Sequence, residues 1–452
     1  MMMLVYGLVG LLVVVNLLMA KPSWWIGVVV FVTFGSFPAQ VPERIYVGGF
    51  GVNLSELALI LGAAYVAAKY PPNRLTDRCA AAISLVTAFF AFIGVLSHTP
   101  MNQIANDSRG LFGLSLALFI AGRIAATPIV ATALKSLRLT LWVSFAIITL
   151  GSLGALEIQG RLSAAALDGG AAADSVTRVQ SPTVHIASAV LAICIALWIV
   201  KPHSFRPTVM YMLPALGITI LGFSRNALLT MAITCVVAII LERTFRAGVR
   251  ATFVVAGMAL VFSATGALLE RLSDLPGLDY VHRVYSAYTD RVFGGLSADV
   301  MATDSSTVYR DYEITNMKAA INGHELAGHG MGYEYQPVRD SKTPTSSYYA
   351  HNFYMWSVVK TGFIGLSIYA VAFLAPLVRA VRGVRPAPFR SVCVGAAVGL
   401  LYVSSVAPLP LSSNGGPLIG TLIGAAAAMA TTGRDRKDHA DDRELPLVNQ
   451  PA

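Results

Sequence analysis

Residues 345–377 read TSSYYAHNFYMWSVVKTGFIGLSIYAVAFLAPL, a tyrosine-bearing polar approach followed by an apolar run whose one charge is Lys360. A run of that length predicts a membrane helix, because a span needs roughly 17–25 apolar residues and lipid offers no partners to exposed backbone groups. Upstream lies 269–350, a long polar stretch in a chain otherwise made of apolar runs. Loops of this length are functional elements or disordered. Tyr280, Tyr285, Tyr288, Tyr309, Tyr312, Tyr333, Tyr335, Tyr348 and Tyr349 argue against disorder, since disordered segments are poor in aromatics. Arg271, Arg283, Arg291 and Arg310, with His282, His324 and His329, equip the stretch to meet an anion.

Composition agrees with the local reading. Hydrophobic residues make up 55% and charged residues 13%, against about a quarter charged in ordinary soluble domains, and the mean hydropathy is +0.65. The runs are too long for barrel strands. The chain therefore reads as an all-α polytopic membrane protein of about 12–13 transmembrane helices with one large extracytoplasmic loop. Spans are predicted near 4–20, 24–38, 53–69, 79–97, 108–122, 138–156, 184–200, 207–222, 226–241, 250–268, 351–377, 389–408 and 415–431. No cleavable signal peptide is expected, because residues 1–20 lack a basic opening.

Lys and Arg in short links set the orientation. Lys69, Arg74 and Arg78; Lys135 and Arg138; Lys201 and Arg206; Arg243, Arg246 and Arg250; and Arg379, Arg382, Arg385 and Arg390 fall on one side if the spans alternate. That side is predicted to be cytoplasmic, which puts 269–350, 157–183 and 98–107 outside. The formal charge of +9 then reports topology and not a nucleic-acid footprint. Cys79, Cys194, Cys235 and Cys393 lie in or beside spans, and none falls in the long loop, so neither a disulfide framework nor a zinc site is expected. Four regions follow: spans in 1–268, the loop 269–350, closing spans in 351–431, and a tail 432–452 of disordered composition. Within the loop, 269–292 and 308–322 are predicted as short helices.

Three groups of residues can carry chemistry. Ser224-Arg225-Asn226 falls where one span ends and the next begins. A guanidinium there offers a planar fork to phosphate oxygens, or it simply snorkels and anchors the helix. His351-Asn352 opens a span. An imidazole at that level can act as a general base with Asn352 orienting it, or it can be an interfacial histidine with no task. Arg310 and Tyr312 precede Gly328-His329-Gly330-Met331-Gly332. Glycines let backbone N–H groups approach an anion closely, although a plain turn has the same pattern.

In order, these groups resemble the O-antigen ligase and O-antigen polymerase superfamily. The resemblance rests on GFSRNALLTMAIT, on YRDYEITNMKAAINGHELAGHGMGYEY and on HNFYMWSVVKTGFIGLSIYAVAF. It covers a Ser-Arg element followed by a leucine at a span start (Ser224, Arg225, Leu228), an Arg-led helix (Arg310) and glycines at Gly328, Gly330 and Gly332. It ends on His351-Asn352 leading to Gly362, Gly365 and Leu366. GVNLSELALI at 51–60 resembles the family's early amphipathic approach to a span.

What the resemblance implies is a GT-C-like membrane glycosyltransferase of the cell envelope. It would move a saccharide from a polyprenyl-diphosphate carrier, such as undecaprenyl diphosphate, to a glycan or lipid acceptor hydroxyl at the outer face of the inner membrane. No metal, cofactor or nucleic acid is implied, and the membrane lipid is itself a partner. Arg225, Arg310 and His351 are the expected catalytic residues, with His351 as base and Asp311 and Glu313 as alternative bases. Ser224, Asn352, Tyr312, Gly330 and Gly332 are the expected substrate-binding residues. Lys360 has no assigned role, and His324 and His329 are expected to face water. The rival class is a lipid-linked saccharide flippase or transporter. Such proteins have repeats and helices broken near the membrane middle, and the sequence predicts neither.

Overall fold

Each apolar run closes into a helix because only intrahelical bonds satisfy its backbone away from water. The computed structural model describes residues 21–47, 50–159, 161–163, 178–201, 205–243, 245–272, 275, 278–292, 305–337, 347–382 and 387–441. The span predicted at 4–20 lies outside these residues. In chain order the helices are α1 (Trp24–Phe34), α2 (Leu54–Lys69), α3 (Arg74–Leu96), α4 (Met101–Ile124), α5 (Val130–Ser152), α6 (Thr183–Val200) and α7 (Phe205–Leu221). There follow α8 (Arg225–Glu242), α9 (Phe245–Arg271), α10 (Leu278–Val292), α11 (Ser305–Ile321), α12 (Phe353–Val381), α13 (Pro388–Val403) and α14 (Gly415–Asp441). Six of them, α3, α5, α6, α8, α9 and α12, are long and apolar enough to cross a membrane. This is an all-α polytopic membrane protein.

Several boundaries differ from expectation. The link predicted at 98–107 is mostly helix, because α4 begins at Met101 and carries Asp107 and Arg109 in its first turns. One surface helix predicted at 269–292 is split between the end of α9 and α10. The helix α14 continues to Asp441, into the tail assigned to disorder. Two small two-stranded sheets went unforeseen. β1 (Arg44–Val47) pairs antiparallel with β2 (Phe50–Asn53), Arg44 opposite Asn53, and β3 (Arg161–Ser163) pairs with β4 (Arg178–Gln180). An ion pair between Arg109 and Glu56, at 3.4 Å, holds the start of α2 beside α4.

Small residues let the inner helices meet backbone to backbone, as membrane packing favours. Gly416, Gly420 and Gly424 of α14 lie on the carbonyls of Gly110, Leu114 and Leu118, so α14 and α4 run parallel. Gly395 and Gly399 of α13 lie on Thr234 and Thr230 of α8, so those two run antiparallel. Thr87 bonds to Tyr369 while Phe90 meets Gly365, which makes α3 and α12 antiparallel as well. These registers have one result: α4, α8, α12 and α14 all begin at the same end of the bundle, and the candidate residues gather there.

Candidate active site

Helix α12 starts where it does because Asn352 caps it, its Oδ1 accepting from the N–H groups of Tyr354 (3.0 Å) and Met355 (3.1 Å). This is the usual work of an Asn at such a position. The oxygen expected to orient His351 is thus committed to the helix. The group that holds His351 is instead Glu313, on α11. The Glu313 carboxylate is 1% exposed, accepts from the His351 backbone N–H at 2.8 Å and lies 3.3 Å from its Nδ1. Tyr309 and Tyr349 stand edge-on to the imidazole at 5.8 and 6.5 Å. A carboxylate at Nδ1 favours the tautomer with its proton there, which leaves Nε2 as the basic nitrogen.

Glu313 is itself held. The Tyr335 hydroxyl donates to the Tyr349 carbonyl at 2.7 Å and sits 3.4 Å from Glu313 Oε1. Burial, then the Glu313 charge, pushes the Tyr335 phenol well above its ordinary value. The same two causes push Tyr349 up to about 12. Both phenols therefore stay protonated as donors near neutral pH.

Arg310 lies one turn before Glu313 on α11, and residues three apart share a helix face. Its Nε is buried with no hydrogen-bond partner among the described residues. Tyr312 is 48% exposed. Ser224 occupies the capping position of α8 without a side-chain cap bond, and Arg225 is the first residue of that helix. The pairs Thr230–Gly399 and Thr234–Gly395, stepped back along α8, bring Arg225 level with Ser404. The Ser404 carbonyl accepts from the N–H of Phe353 at 3.0 Å. Arg225 and His351 thus share one level of the bundle, reached from two different helices.

The glycine turn departs from expectation. Its N–H groups were expected either to approach an anion or to form a plain turn, and they are occupied. His329 N–H donates to Val359 O at 2.9 Å, Gly330 N–H to Lys360 O at 2.8 Å, and Met331 N–H to Phe90 O at 2.9 Å. Gly332 N–H donates to Asp107 Oδ2 at 2.6 Å. Gly330 and Gly332 are therefore joints between helices, and a buried carboxylate is the anion that Gly332 meets. The carbonyls of Val359 and Lys360 need these donors because α12 breaks at Gly362, with φ 62° and ψ −174°. No broken helix was foreseen.

Two further residues are placed differently. His329 does not simply face water: it stacks on Tyr333 at 3.9 Å, lies 4.0 Å from His324, and puts Nε2 2.8 Å from Ala320 O. Burial lowers its pKa. Lys360, without a role from sequence, is fully buried and paired with Asp107 at 2.9 Å. Asp107 was overlooked altogether. The signal was weak, because Asp107 stands among Asn102, Gln103, Asn106, Ser108 and Arg109 and reads as part of a polar link, and only Lys360 is conspicuous as a lone charge in an apolar run. Among the described residues no group of three or more His, Cys, Asp or Glu gathers as a metal site.

Residues 209–370 match the family model described as O-antigen ligase. The matched segment holds Ser224, Arg225, Arg310, Tyr312, Glu313, Gly330, Gly332, His351 and Asn352, and it supports the O-antigen ligase and polymerase superfamily for this chain. No curated protein matches the chain.

Proposed function

From the O-antigen ligase match as premise, we propose that this chain transfers a saccharide from a polyprenyl-diphosphate carrier to an acceptor hydroxyl. The observation that carries the reading is the imidazole of His351 held through Nδ1 by a buried carboxylate. In this reading the acceptor oxygen forms a bond to the sugar C1 as the C1–O bond to the diphosphate breaks. The electron pair leaves on the diphosphate, and the acceptor proton passes to His351 Nε2. Arg225 and Arg310 stabilise the charge that grows on the leaving group, where losing one preorganised donor costs about 10²–10³ in rate. Exposed Tyr312 and uncapped Ser224 are the side chains left to contact the saccharide. The Lys and Arg asymmetry supports an inner-membrane placement in which this end of the bundle faces away from the cytoplasm.

An in vitro transfer assay with a defined lipid-linked donor, read by product mass, tests the reading. His351→Ala is expected to lose about 10²–10⁴ in turnover, the range of general-base action, while the protein still inserts, purifies and binds donor. His351→Gln keeps hydrogen bonding but not basicity, so it should lose as much. Wild-type turnover by the Ala variant would end the proposal.

The break at Gly362 favours one second reading, a flippase for the same lipid-linked saccharide, because transporters bind at such breaks. Against it, the carbonyls freed there are already taken by His329 and Gly330. Donor movement across vesicles without acceptor would decide for the flippase.

A further inference from the structure

Asp107 and Lys360 are 1% and 0% exposed at their side chains. A buried ion pair is a weak source of stability, because desolvation offsets most of the attraction. What this pair does have is geometry. Lys360 Nζ donates to Asp107 Oδ2 at 2.9 Å and to the Tyr333 carbonyl at 2.6 Å. Asp107 Oδ2 also accepts from Gly332 N–H at 2.6 Å. Two consecutive loop residues are thereby fixed between α4 and α12, just ahead of the break at Gly362. Asp107 Oδ1 and the Trp356 indole N–H each lack a hydrogen-bond partner among the described residues. The indole N–H lies beside the carboxylate, near enough for a loose side-chain hydrogen bond that falls short of full bonding geometry.

The fixed residues lead directly to the site. Tyr335 follows Gly332 within about 10 Å of extended chain, and its hydroxyl is the group that meets both the Tyr349 carbonyl and Glu313. Lys360 stands on the same helix that His351 and Asn352 open. One pair therefore locks together the loop that brings Tyr335 and the helix that brings His351. We propose that Asp107 and Lys360 are positioning residues for transfer, setting Glu313 and His351 through Tyr335. This rests on the reading of His351 as the base. Misplacing a reacting group by about 1 Å can cost on the order of 10² in rate, so the effect belongs in kcat.

Either single neutralisation strands a buried charge and endangers folding. The working variant is therefore the matched pair Asp107→Asn with Lys360→Met, which keeps an acceptor for Gly332 and releases Tyr333. Turnover in the mass-read assay should fall by about 10–10²-fold, with donor and acceptor KM little changed and a melting temperature near wild type. Tyr335→Phe alone should lose a similar factor. Combining the two should add little, because both act along one path.

Multiplicative losses in the combination would overturn the proposal, as would full kcat in the folded pair variant. Full kcat in Tyr335→Phe would overturn it even if the pair variant did not fold, since the path would then be broken at its middle. His351→Ala, run alongside, separates the two readings. Turnover by that variant counts against both, whereas a multiplicative cycle counts only against the positioning pair.

Discussion

Arg310 has a guanidinium nitrogen buried without a partner among the described residues, a poor arrangement for a residue whose only task is to anchor a helix. It suits a group that waits for an anion, since a planar fork is matched to phosphate oxygens in a way an ammonium is not. Arg310→Lys and Arg225→Lys should therefore each lose about 10²–10³ in turnover, nearly as much as the Ala variants. Full activity in both Lys variants, in the same assay, would reduce these residues to anchors. At this scale Arg225, Arg310 and His351 were singled out by the order of short motifs that resemble the family, with Arg225 and His351 also marked by their place at the start of apolar runs. The sequence named Asp311 and Glu313 alike as alternatives to His351 as base. Two acidic residues two positions apart look alike until the helix turns one of them inward. Glu313 is buried and Asp311 exposed.

The break in α12 shows what is lost between residue and element. In an apolar run, Gly362 reads as an ordinary helix glycine, and nothing beside it announces a change of backbone. The cause lies in the loop, where the carbonyls of Glu325 and Leu326 accept the N–H groups of Phe363 and Ile364 and restart the helix. Gly362 is held at φ 62° with the Leu326 carbonyl where a Cβ would go. Gly323 is also left-handed, at φ 82°, but has open space around it. Gly323→Ala should thus cost only the backbone strain, about 1 kcal/mol, while Gly362→Ala adds a clash and should cost about 3 kcal/mol or more. Thermal unfolding of the purified proteins in detergent checks the order. Equal melting temperatures would mean that the break does not depend on a glycine.

For the whole molecule, hydropathy alone gave the helical class and the position of most helices, although only six of those described are long and apolar enough to cross a membrane, against the roughly 12–13 spans expected. The helix α9 is the extreme case: 6% of its most apolar window is buried inside the protein, with Phe253, Leu260 and Val261 turned outward. What hydropathy could not give is which helices touch, since lipid and protein interior are equally apolar. Orientation is testable directly. In a background lacking the four native cysteines, an impermeant thiol reagent applied to intact cells should label Asn322→Cys, beside α11, and not Pro72→Cys, between α2 and α3. The reverse pattern would turn the site toward the cytoplasm and defeat the proposed chemistry.

The union of Asp107 with Lys360 also has a consequence for how the protein is made. The two residues are separated by more than half the chain, and synthesis runs at about 5–20 residues per second. Asp107 is thus inserted on the order of ten seconds or more before the ribosome has made its partner. Through that interval the nascent chain carries an acid with no counter-charge from Lys360, in a region that will be sealed from water. The first turns of α4 must therefore stay hydrated, or keep the acid protonated, until α12 arrives. The candidate site is among the last parts of this protein to exist.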